Sequence, residues 1–178
     1  MRNQTMRNKQ KGFSLIELLI VVAIILIIAA IAIPSLIRAK ISANESSAAA
    51  SIRQISTAQV AYAASYPVIG YAATLATLGP GAGNNSCPNS GPTSTTACIL
   101  DGVLSSGSKS GYQFLAVGDS GGGNPPNTEF VSSAAPLSYN TTGTKNYCMV
   151  TDGVLRTNPT SAPMAPDVPT CSAYPIAQ

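Results

Sequence analysis

The chain has 178 residues, 45% of them apolar and 10% charged, with a formal net charge of +3. Soluble domains average about 25% charged residues, and here the apolar excess is gathered near the N-terminus, so part of the chain is suited to lipid. The absence of histidine excludes Ser-His-Asp, Cys-His and histidine-based metal chemistry.

The charge is unevenly placed. Arg2, Arg7, Lys9 and Lys11 fall in the first twelve positions with no acidic residue among them, and the rest of the chain has six basic against seven acidic residues, a net of −1. With no basic cluster beyond Arg38 and Lys40, the chain lacks the electrostatic footprint for holding a nucleic-acid backbone, and direct nucleic-acid binding is not expected.

From Phe13 to Ile37 only Ser14, Glu17, Pro34 and Ser35 are not apolar. At a helical rise of about 1.5 Å per residue this stretch reaches about 37 Å, enough to cross a hydrocarbon core of about 30 Å once. The basic cluster before it keeps the N-terminus in the cytoplasm and sends everything after Ile37 to the outer side. An ordinary secretory signal has a shorter apolar run closed by a small-residue cleavage site, which Pro34-Ser35-Leu36 does not supply. Over 38–66 the helical pattern continues in amphipathic form: Ala48, Ile52, Ile55, Gln59, Tyr62 and Tyr66 recur at steps of three or four. Pro67 and Gly70 end it at Tyr66. Ser42-Ala43-Asn44-Glu45 would also serve as the capping box of a fresh helix, but one long helix is the preferred reading.

After Pro67 the composition turns to loop formers, and sixteen of the twenty residues from Gly79 to Cys98 are Gly, Pro, Ser, Thr or Asn. Three apolar runs predict strands at Tyr112–Val117, Phe130–Ala134 and Tyr147–Thr151. The last leads through Asp152-Gly153 into Val154–Arg156 as a hairpin. With so few large side chains this part cannot bury much core alone, so it is expected to pack on the Ile52/Ile55/Tyr62 face of the helix. The fold class is α+β: a long N-terminal helix packed on a small antiparallel sheet with long loops.

Cys87, Cys98, Cys148 and Cys171 form an even set in a loop-rich region, which reads as disulfide bonding in an oxidising compartment. Three pairings are open, and Cys87 with Cys98 and Cys148 with Cys171 are favoured because each closes a local loop. Four thiolates on zinc is the competing reading, which neither spacing nor compartment supports. No metal or cofactor is implied.

Glu17 is the most informative residue, because a carboxylate at the bilayer centre costs about 2.5 to 3.5 kcal/mol. Near the interface it can snorkel and do nothing. A functional role calls for a cationic partner. A cut between Gly12 and Phe13 would create one, a new α-amino group one helical turn before Glu17 or on a neighbouring subunit.

Lys11-Gly12-Phe13-Ser14-Leu15-Ile16-Glu17, followed by an apolar run and Pro34, resembles the leader and N-terminal helix of type IV pilins and of the related pseudopilins. The resemblance covers Lys11 to about Tyr66. It is weaker at Gly111-Tyr112-Gln113-Phe114 and Thr151-Asp152-Gly153-Val154-Leu155-Arg156, which resemble strand segments of pilin globular domains. It implies residues 1–12 as a prepilin leader, with Met1 or Met6 as initiator, and cleavage after Gly12 by a membrane-embedded prepilin peptidase. N-methylation of Phe13 by the same enzyme and polymerisation into a helical filament of this chain follow from it.

By that resemblance Glu17 and Pro34 are assembly positions, and the domain layout is leader 1–12, filament-core helix 13–37, amphipathic continuation 38–66 and loop-rich globular part 67–178. The Cys148–Cys171 bridge would tie the Pro-rich tail onto the sheet. The partners implied are the membrane before assembly, the peptidase, the inner-membrane pilus assembly machinery and other copies of the chain. The location is an inner-membrane precursor and then a surface pilus. The resulting function is a non-enzymatic structural subunit, most simply a major pilin. The alternatives are a minor pilin or type II secretion pseudopilin and, in a different class, a monomeric membrane-anchored binding domain, which leaves Glu17 and the Gly12-Phe13 junction unexplained.

Other strings carry little. Gly118-Asp119-Ser120-Gly121-Gly122 looks like a protease nucleophile segment, but no histidine exists to act as base, and a glycine turn after the Tyr112–Val117 strand is the plainer reading. Asn84-Asn85-Ser86 and Asn140-Thr141-Thr142 match a short glycosylation pattern. No aromatic residue occurs from Leu15 to Ala61, so filaments of this chain are expected to be insulating.

Overall fold

A computed structural model describes residues 12–81, 86–121 and 125–177. The chain divides into two compact units, Met1–Arg38 and Ala39–Gln178, and helix α1, Leu15–Ser65, contributes to both. The break considered at Ser42 is absent. Asn44 and Glu45 do not cap a new helix but reach to the 137–145 loop: Asn44 Nδ2 donates to the Thr142 carbonyl at 2.9 Å, and Glu45 Oε1 accepts from the Thr144 amide at 2.8 Å and hydroxyl at 2.6 Å.

In the first unit α1 opens at Ser14, whose carbonyl accepts from the Leu18 amide at 3.2 Å. Pro34 lies inside the helix without ending it. Every large apolar side chain from Leu15 to Ile37 is exposed, and the most apolar window of the helix has none of its residues buried.

In the second unit the later half of α1 buries Ala48, Ile52, Ile55, Gln59 and Tyr62, the stripe read from periodicity, with Tyr66 packed at its rim. Gln59 sits where an apolar residue would be expected, and both ends of its amide are satisfied by the backbone of Ala72. The stripe packs on a five-stranded antiparallel sheet in the order β1 (Ser108–Lys109), β2 (Tyr112–Asp119), β3 (Glu129–Pro136), β4 (Asn146–Val150), β5 (Arg156–Asn158). Tyr112, Phe114, Ala116, Ala134, Tyr147 and Met149 supply the sheet's side of that core.

The opposite face is covered as well. Val131, Cys148 and Val150 pack with Ala165 and Cys171, the latter on the short helix α4, Val168–Ser172. That second cover explains why all five residues of β4 are buried instead of alternating. The short helices α2 (Leu75–Leu78) and α3 (Gly102–Ser105) were not anticipated. They bring Leu75, Leu78 and Leu104 into the core, and Asp101 caps α3 by accepting from the Leu104 amide at 2.8 Å.

The strands differ from expectation in several places: β1 is additional, β3 extends beyond Phe130–Ala134 at both ends, and β4 begins and ends one residue before Tyr147–Thr151. The return strand is Arg156–Asn158 instead of Val154–Arg156, with Cys148 opposite Arg156. Asp152 folds the connection back by accepting from the Val154 amide at 2.9 Å and pairing with Arg156, and so uses up the residues of a two-residue hairpin. Strand β2 runs on through Gly118 to Asp119, where a turn was expected after Val117. A side chain at Gly118 would collide with Asn127 and the carbonyls of Tyr71 and Ala72, so the glycine permits close approach of the 71–72 segment. The turn comes afterwards, with Asp119 Oδ1 accepting from the Gly121 amide at 2.8 Å. Gly122 lies outside the described residues, as do Asn84 and Asn85.

Candidate processing and assembly segment

Gly12 and Phe13 precede α1. Phe13 is 85% exposed, and a side chain at Gly12 would meet nothing within 4 Å, so among the described residues nothing covers this junction. The basic segment before it, with Met1, Met6 and Lys11, lies outside the described residues.

Glu17 lies in the first turn of α1, and its Oε2 accepts from the Ser14 backbone amide at 3.0 Å. This is half of the reciprocal capping pattern in which a residue three positions into the helix reaches back to satisfy an orphan donor. The positive end of the helix dipole adds to the attraction. A cation was sought from the sequence as Glu17's partner, whereas in the single chain its partner is a local amide. The spacing Ser14-Leu15-Ile16-Glu17 carried that signal.

Pro34 has no amide hydrogen, so the Ala30 carbonyl has no donor at the fourth position along, and the ladder is weakest there. Phe13, Glu17 and Pro34 all belong to the first unit, while the cysteines belong to the second. Cys87 pairs with Cys98 and Cys148 with Cys171, at Cα separations of 5.9 and 5.8 Å, the local pairing favoured from sequence. Tyr62 fastens the first disulfide loop to the helix by donating to the Ser94 carbonyl at 2.6 Å, and the second bridge fixes α4 to β4. Among the described residues no group of three or more His, Cys, Asp or Glu side chains is placed to hold a metal.

The structure thus sets an exposed apolar helix, with Gly12-Phe13 before it and a carboxylate in its first turn, ahead of a disulfide-bonded α+β domain in chain order. Residues 7–33 match the family described as the prokaryotic N-terminal methylation motif. The chain is also 44% identical over 62 residues to the type IV major pilin protein PilA of Myxococcus xanthus (strain DK1622), a match covering 35% of this chain and 28% of that protein. No solved structure matches. The motif and the relative together support a type IV pilin; the motif covers residues 7–33, and the chain spans less than a third of the relative's length.

Proposed function

We propose that this chain is a pilus-building subunit of the major-pilin type. It is held in the membrane by α1, cleaved between Gly12 and Phe13, N-methylated at Phe13 and polymerised through the apolar half of α1. The carrying observation is the complete exposure of the large apolar side chains from Leu15 to Ile37. At about 25 cal/mol per Å² such a surface is not left in water, and a helix apolar on every side must be enclosed on every side. Lipid encloses it before assembly, and copies of the same helix enclose it afterwards. Extraction therefore exchanges one apolar environment for another.

Cleavage gives Glu17 its second partner. Its carboxylate already lies against the amide of Ser14, and a free α-amino group on Phe13 would be one residue away along the backbone. When the helix end leaves the interface for a dry filament core, the capped carboxylate needs charge compensation as well as one amide, and the α-amino group of a neighbouring copy supplies it. Pro34 adds a place where α1 can stretch or unwind as subunits are packed.

Glu17→Leu tests this reading. The variant is expected to accumulate in the membrane at the parental level and to yield no sheared filaments, while Glu17→Leu filaments of normal yield would remove Glu17 from assembly.

A further inference from the structure

Within the second unit a groove of about 650 Å³ runs along the flank of α1, with Glu45 and Arg53 on the helix and Lys145, Tyr147 and Thr157 on the sheet side. Tyr147 is only 7% exposed and lines this groove, yet its phenol has no hydrogen-bond partner among the described residues. Glu45 is largely committed, since its Oε1 holds the Thr144 amide and hydroxyl. Lys145 Nζ stands 4.0 Å from the other carboxylate oxygen with its side chain 47% exposed, and Arg53 is exposed with no carboxylate beside it among the described residues. The lining therefore offers two cations and a phenol donor against one occupied carboxylate.

The matching surface lies on the same domain at its other end. Asp119 and Glu129 are directly opposite one another in the β2–β3 register, and neither has a cation within 4.0 Å among the described residues. Like charges in that position destabilise a sheet. By strand alternation they share the face of Val131, away from α1, whereas Tyr147 faces the helix. Ala134 pairs with Tyr147, which sets Lys145 level with Pro136, and Glu129 lies seven positions from Pro136 along β3. That is about 23 Å at the strand rise. Lys145 and Glu129 therefore stand at opposite ends and on opposite faces, so one molecule cannot close that pair on itself, whereas Arg53 also lines a second groove with Phe130, the neighbour of Glu129.

We propose that the groove receives the Asp119/Glu129 end of a second copy. The contact is head to tail: Arg53 and Lys145 of one domain meet Glu129 and Asp119 of the next, and the Tyr147 phenol gains an acceptor. Such heterologous contacts propagate into open helical arrays when they do not close into rings. The inference rests on the filament reading above and adds to it a site, a polarity and a salt-sensitive contact between the globular domains.

Sheared filaments treated with a zero-length carbodiimide cross-linker test it. Peptides joining Glu129 or Asp119 to Lys145 are expected, and a single domain cannot make them. Filaments whose only carboxylate–lysine link at Lys145 is to Glu45 would overturn the contact. Charge exchange gives an independent reading: Lys145→Glu and Glu129→Arg are each expected to lower filament yield about tenfold, with the double variant restored to near the parental yield. Parental yields from both single variants, or a double variant no better than either, would also overturn it. Absence of filaments from the parent chain would instead bring down the polymer reading itself, and this inference with it.

Discussion

Between Leu15 and Ile37 helix α1 exposes every large apolar side chain, whereas between Ala48 and Tyr62 it buries one stripe and exposes only Val60 among its large apolar side chains. The two stretches share a backbone conformation but differ in what stabilises them. The later half is fixed by its own domain, through Ile52 and Ile55 in the core and Asn44 and Glu45 on the β3–β4 connection. Among the described residues the earlier half buries no large apolar side chain against its own unit. Hydrophobicity alone would rank the earlier half as the stronger core element, whereas periodicity separates an internal core from a surface made for other molecules.

The sharpest way to break this comparison is to truncate one apolar residue in each half. Ile55→Ala should destabilise the globular unit by about 2 to 5 kcal/mol, because it leaves a cavity between helix and sheet. Ile27→Ala should leave the same unfolding transition in place, as followed by denaturant titration of the full chain in detergent. Equal shifts from the two would mean that the halves are not independent.

A smaller effect is expected at the Glu45 clasp. Glu45→Ala strips the Thr144 amide and hydroxyl of their acceptor, at a cost of about 1 to 3 kcal/mol, and Glu45→Gln, which keeps one acceptor oxygen, should lose less. Hydrogen exchange at the Thr144 amide should rise in the first variant more than in the second.

The smallest effect is confined to alkaline pH. Burial, and then the Glu45 carboxylate, push the Tyr147 phenol up to about 12, and burial raises Tyr112 as well. The folded unit therefore keeps protons that the unfolded chain begins to release near the ordinary value of 10.0. Stability should be unaffected by these groups below pH 10 and should fall as pH rises from there through about 12. Phenolate absorbance that tracks unfolding above pH 10 would show it, and free titration of both tyrosines in the folded unit would not fit.

The helix and its two halves were legible because a spacing of three and four needs no tertiary knowledge, and the local disulfides followed from loop length. The ends of the strands were not legible. The extension of β2 to Asp119 depends on Gly118 passing beneath the 71–72 backbone, and the late start of β5 depends on the Asp152–Arg156 pair, both tertiary or side-chain effects on backbone pairing. The cover on the second sheet face was half legible, through Cys171 but not Ala165. At Glu17 the cost of a carboxylate in lipid pointed to an α-amino group created by cleavage one turn earlier, while the capping pattern with the Ser14 amide, three residues away, was the element missed.

The central claim is that the Gly12-Phe13 junction is cut so that the apolar half of α1 can pass from lipid into a filament. Intact-mass and N-terminal analysis of protein sheared from the cell surface tests it most directly. The expected species begins with N-methylated Phe13 and is lighter by four hydrogens for its two disulfides. An uncut chain beginning at Met1 or Met6 and confined to the membrane fraction would contradict the account and point to a tethered monomer.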